Sequence, residues 1–147
     1  MTRLVPFGLL EEGLRDRLRS AAIMNANYLA ALRPGKRVAD IFEHAKDWYA
    51  AQGFSGEWER HHQGGGTGYK ESEYVIGPDS EGVVLEHEAF AFTPMVQGAK
   101  VENMTTVPDW PAINVRVNDQ SFCCLDILLH GAPQTEWEEQ VVTADVG

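Results

Sequence analysis

The stretch RHHQGGGTGYKESE at residues 60–73 decides how the rest of the chain is read. It places His61 and His62 before three consecutive glycines, Gly64, Gly65 and Gly66, and then adds Thr67, Gly68 and Tyr69. Glu71, Ser72 and Glu73 close it. Consecutive glycines cost backbone entropy and add nothing to a core. They are kept where the backbone takes unusual angles or approaches something closely. Beside imidazoles and carboxylates, such a run reads as the wall of a site. No Lys-Ser/Thr pair follows the glycines at phosphate-loop spacing, so a nucleotide loop is excluded.

On the N-terminal side of this stretch the spacing is helical. Leu10, Leu14, Leu18, Ala22, Leu29 and Leu32 form one stripe, with Glu11, Arg15, Asp16 and Arg19 facing away, which predicts a helix over 9–33. Asn25 and Asn27 weaken it near Met24, where a bend is expected. Pro34-Gly35 ends it, and Val38, Ile41, Phe42, Ala45, Trp48 and Tyr49 predict a second helix over 38–51, closed by Gly53. The short connection predicts an antiparallel pair. Residues 2–7, TRLVPF, read as a short strand before the helices.

From Glu57 the pattern is β. Alternation at 57–62, the apolar run at 74–76, and segments 89–95, 99–107, 114–117 and 122–129 all read as strands, with GPDSEG at 77–82 as a surface turn. Residues 1–130 then form one domain, and 131–147 an acidic C-terminal tail. One strand, two helices and a run of strands is an α+β order, with helices covering one face of a mostly antiparallel sheet.

Bulk composition narrows the partners. With 147 residues and 44% hydrophobic content, the chain suits one globular domain. A formal net charge of -10 argues against nucleic acid and anionic membranes as partners. No apolar run approaches a membrane span. The two cysteines, Cys123 and Cys124, are adjacent and form no disulfide framework, so a reducing cytoplasm is the simplest setting. Among Phe122, Leu125, Ile127 and Leu128 one of them reads as core, and nothing nearby supplies the electropositive setting of a nucleophile. Trp110 reads as a packing residue at a bend.

Four motifs in this order resemble the C-terminal half of the catalytic domain of the creatinase/aminopeptidase P/prolidase family, the pita-bread metallopeptidases. They are TRLVPFG, the Arg33-Pro34-Gly35 helix pair, HHQGGGTGY with Glu73, and AFAFTPMVQGAKVENMTTV at 89–107. The resemblance implies half of a pita-bread fold: two antiparallel helices packed on a curved, mostly antiparallel sheet. It implies Xaa-Pro aminopeptidase or dipeptidase chemistry, which in the family uses two divalent metals (Mn, Co or Zn) held by two Asp, one His and two Glu. Carried over residue by residue, the ligand set is depleted. Both aspartates would lie before residue 2. The ligand histidine falls on Gly65 and the first glutamate on Thr93, and only the second glutamate is retained, as Glu102. A substrate-contacting histidine falls on Ser72, with the following Glu73 retained. One carboxylate does not hold two metals, so no cofactor is expected in this chain.

Three functions follow as alternatives. The chain is a peptidase-like domain without dinuclear metal activity, or a non-catalytic module binding a small peptide or amino-acid-derived ligand. The third is a metal-independent hydrolase using His and Glu, as creatine hydrolysis in this family works without metal. The catalytic candidates are His61, His62 and Glu73. The substrate-binding candidates are Gly64, Gly65, Gly66, Tyr69 and Ser72, and Glu102 is the one remaining metal position. Each has a plainer reading. In a strand the two histidines point to opposite faces, so one of them packs or is solvated. The glycines make a tight bend. Glu73 and Glu102 either pair as carboxylates or are separately solvated and salt-bridged to Arg60 or Lys100. Glu86, His87 and Glu88 read as a solvated segment rather than a metal cluster. Half of a two-half fold leaves a face uncovered, so a homodimer or a missing N-terminal half is expected.

Overall fold

The computed structural model describes residues 11–70, 72–107, 113–118, 125–129 and 139–141, the last three segments by their backbone path. The expectations for residues 2–7, Glu71, Trp110, Cys123 and Cys124 lie outside the described residues. Two helices, α1 (Leu14–Ala31) and α2 (Val38–Ala51), precede a 3-10 turn at Glu57–Arg60. Eight strands follow: β1 (Gly64–Thr67), β2 (Ala89–Phe92), β3 (Met95–Val96), β4 (Ala99–Lys100), β5 (Asn103–Thr106), β6 (Ile113–Asn118), β7 (Leu125–Leu129) and β8 (Glu139–Val141). They form antiparallel sheets in the orders β1-β2-β5, β3-β4 and β7-β6-β8. The architecture is α+β, helices against antiparallel sheets, as the element order predicts.

The helices run antiparallel. The start of α1 (Leu14, Leu18) packs with the end of α2 (Tyr49) and Phe54, while Tyr28 to Leu32 pack with Val38 to Ala45. Gly53, at φ 81, closes α2 as expected, with its N–H donating to Ala50 O and that of Phe54 to Tyr49 O. The stripe of α1 is only part of its buried surface. From Met24 to Leu32 every residue is buried, because α1 runs beside β2, β3, β4 and the backbone of β6. The helix runs unbroken through Asn25. The Asn25 amide donates to Phe92 O at 3.1 Å and its oxygen accepts from Asn103 Nδ2 at 3.0 Å. The side chain therefore ties α1 to β2 and β5 instead of competing for its own helix backbone.

Other boundaries differ from the sequence reading for local reasons. Residues 57–60 form a 3-10 turn rather than a strand, opened by Gly56 at φ 82, and this tucks Trp58 edge-on against Phe42, with ring centroids 5.6 Å apart. The expected strand 89–95 ends at Phe92, where Thr93-Pro94 leaves the ladder, since proline has no N–H to give. The expected strand 99–107 divides into β4 and β5. Residues 139–141 of the expected tail pair with β6 as β8. The 77–82 turn is as predicted, with Gly77 N donating to Ser80 Oγ at 2.8 Å.

Phe90 and Phe92 point from β2 into the core with no exposed surface, and Phe92 stacks on Tyr28 at 4.5 Å. Each such ring contributes on the order of 1.5–3 kcal/mol by leaving water. By alternation, Ala91 and its cross-strand partners Gly65 and Met104 lie on the opposite face. That outer face carries Gly65, one of the positions singled out in the sequence.

Candidate functional site

The glycine run is explained by close backbone approach within the chain itself. Residues 73–76 lie along the free edge of β1, with Glu73 N donating to Gly66 O at 2.9 Å and Ile76 N to Gly64 O at 2.8 Å. A Cβ on Gly65 would stand 2.1 Å from Tyr74 O, and one on Gly66 would stand 2.3 Å from the Tyr74 ring. One on Gly64, at φ 97, would stand 2.0 Å from Ala91 O. All three glycines are buried. The space above them, expected to face a ligand, is filled by Tyr74, Val75 and β2. Tyr74 is fixed in turn by donating to Glu88 Oε1 at 2.7 Å, while Glu88 Oε2 accepts from Leu85 N at 3.0 Å. Burial and this carboxylate raise the Tyr74 phenol above its usual range, so it stays a donor. Glu86 and His87 beside it are exposed, in keeping with the solvated reading of that segment.

The candidate polar residues separate into two places. Glu73 belongs to the loop after β1, where its Oε1 accepts from Lys70 N at 3.0 Å, and Tyr69 and Ser72 are exposed on the same loop. His61 and His62 lie at the other end of β1. Their rings do not point to opposite faces: the centroids are 4.3 Å apart. They lie between the 3-10 turn and β1, in neither element, and His61 Nδ1 is 2.6 Å from His62 O. A carbonyl oxygen only accepts, so this nitrogen carries the proton and leaves Nε2 of a neutral His61 as a free acceptor.

His62 senses Lys100 and Glu102 across the sheet. Its pKa is lowered from the usual 6.5, first by burial, then by His61 and Lys100, with Glu102 opposing. A depressed histidine favours the fold while neutral, so this contribution is complete above pH 6.5 and is lost as pH falls toward the lower folded value. An NMR titration is therefore expected to place the His62 midpoint below 6.5; a midpoint above it would contradict this packing. Glu102 itself is paired with Lys100 at 3.4 Å, and Arg60 with Glu57 at 3.3 Å.

Beneath the histidines lies Gln63, which the sequence reading passed over. It is 1% exposed and saturated with hydrogen bonds. Its Oε1 accepts from Tyr28 OH at 3.1 Å and Tyr49 OH at 2.9 Å, and its Nε2 donates to Trp58 O at 3.0 Å and His61 O at 2.7 Å. Burial holds both phenols above their usual range, so both remain protonated donors. The available signal was a glutamine beside the glycine run, with one tyrosine, Tyr28 or Tyr49, in each predicted helix.

Of the three positions that the resemblance equates with ligands, Gly65 lies on the outer sheet face, while Thr93 directly follows β2 and Glu102 directly precedes β5. Their chemistry does not suit a metal pair. Gly65 has no side chain and no room for one. Thr93 Oγ1 donates to His62 O at 3.0 Å, and Glu102 is neutralised by Lys100. Among the described residues no group of three or more His, Cys, Asp or Glu is placed to hold a metal ion. No helix among them is long and apolar enough to cross a membrane.

No protein-family model and no curated protein matches the chain. The solved structures similar to it include two dipeptidases. One is a dipeptidase from Pyrococcus horikoshii OT3, at 25% identity and TM-score 0.55, over 68% of this chain and 30% of that one. The other is the dipeptidase PepE from Mycobacterium ulcerans, at 21% identity and TM-score 0.56, over 71% of this chain and 32% of that one. The likeness supports a peptidase-related fold, and this chain spans about a third of the length of either dipeptidase.

Proposed function

We propose that this chain is the C-terminal half of a pita-bread, dipeptidase-like domain that has lost the dinuclear metal centre and keeps a wall for a short peptide or amino-acid-derived ligand. The observation that carries this reading is the Tyr74 carbonyl occupying the side-chain space of Gly65. A histidine ligand there has been replaced by backbone packing, which a loss of chain length does not explain. The similarity to two dipeptidases supports the peptidase ancestry. Metal analysis of the gently purified protein should give far less than one Mn, Co or Zn per chain. Calorimetry with glycyl-proline should register binding without turnover. Stoichiometric metal would sink the proposal.

A metal-independent hydrolase is the second reading, favoured by one observation: the His61 Nδ1 contact leaves Nε2 free to act as a base. His61→Ala and His62→Ala separate the two readings, since hydrolysis of glycyl-proline lost in both variants would favour catalysis. Met104 at 53% exposure, Val75 at 47% and Leu85 at 60% leave apolar surface that supports self-association in the cytoplasm. Sedimentation velocity is expected to give a dimer, and a monomer at micromolar concentration would count against it.

A further inference from the structure

We infer that Gln63 is a positioning residue: it sets the geometry of the His61–His62 pair and ties it to the packing of both helices. The inference rests on the reading of that pair as the polar end of the pocket wall, but its geometry can be tested separately. The two histidines belong to no helix or strand, so the backbone ladder does not hold them. Their carbonyls are held instead by side chains. Gln63 Nε2 donates to His61 O at 2.7 Å, and Thr93 Oγ1 donates to His62 O at 3.0 Å. The backbone of Gln63 is fixed as well, because Thr93 N donates to its carbonyl at 3.0 Å.

A glutamine suits this task for a specific reason. Its amide has two donors on one atom and two acceptor sites on the other, in a fixed plane. Here both ends are used. The oxygen is held by Tyr28 of α1 and Tyr49 of α2, so the amide plane cannot rotate, and the nitrogen is thereby aimed at Trp58 O and His61 O. A displacement of either helix moves the oxygen, and with it the donors that hold His61. Glutamate would keep the acceptors but set an oxygen against two carbonyls. Methionine would keep the volume and lose all four bonds.

The test uses the cross-relaxation between the two imidazole rings, whose centroids are 4.3 Å apart in the folded chain. A ring-to-ring NOE is expected in the wild-type protein and is expected to vanish in Gln63→Met and Gln63→Glu. In Tyr74→Phe it should persist, because Tyr74 donates to Glu88 and takes no part in the Gln63 hub. A folded Gln63→Met protein that keeps the NOE would overturn the inference, as would loss of the NOE in a folded Tyr74→Phe protein. If neither position-63 variant folds, the wild-type protein decides. The Gln63 side-chain amide protons should then exchange slowly with solvent and show an NOE to His61 Hα, and rapid exchange would refute the assignment. Glycyl-proline binding measured on the same variants reports on the functional reading separately. Unchanged affinity with a lost NOE would leave Gln63 as the positioning residue and remove the histidines from the ligand site.

Discussion

Gly65→Ala is expected to unfold or severely weaken this domain, although it adds a single methyl group. The new Cβ would lie 2.1 Å from Tyr74 O and 3.0 Å from Tyr74 C and Val75 Cα, all backbone atoms that cannot rotate away. Relief requires residues 73–76 to leave β1, breaking the bonds from Glu73 N and Ile76 N. Overpacking of this kind costs ~1–3 kcal/mol or more, and each lost hydrogen bond adds about 1 kcal/mol. A total near 3–5 kcal/mol is a large share of the ~5–15 kcal/mol that holds a domain together. Gly68→Ala is the control: its Cβ would meet only the Glu73 side chain, at 3.4 Å, and should change stability by less than ~0.5 kcal/mol. Equal urea midpoints for the two variants would show that the packing over Gly65 is not what holds this segment. Gly65→His should behave like Gly65→Ala and gain no affinity for Mn, Co or Zn, since the position has no room for an imidazole.

The second large effect is expected at Gln63. Gln63→Leu removes the acceptor of Tyr28 and the donor to the carbonyls of Trp58 and His61, while Tyr49 keeps Met95 O at 3.1 Å. A buried polar group left without a partner costs about 1–3 kcal/mol. With three groups affected, two of them partly buried carbonyls, a loss of about 3 kcal/mol or more is expected. For a chain of this size that lowers Tm by roughly 6–12 °C. Calorimetry on the variant checks this, and a fall of less than ~2 °C would show that water replaces the lost bonds.

Both predictions concern residues whose role the sequence disguised. The glycines were legible as a place of close approach, because backbone entropy makes them costly anywhere else. What they approach was not legible, since Tyr74 comes close to Gly65 only through the return of the chain along β1. The histidines were legible as polar groups beside that run. Their close approach was not, because the 3-10 turn at Glu57–Arg60 looks like alternation in one dimension. Gln63 was missed because a hydrogen-bonding hub is defined by partners 14 and 35 residues away, on two helices.

The sequence by itself determined the two helices, their antiparallel pairing and the α+β order. These depend on local periodicity, turn chemistry and residue identity, which need no knowledge of distant contacts. The tertiary structure alone decided that Asn25 serves as a strap between α1 and the sheet rather than a bend. It also decided that Glu73 and the histidines sit at opposite ends of β1, and that Gly65 has backbone in place of a side chain. Each of these is a contact between segments far apart in the chain, where the partner, not the residue, sets the outcome.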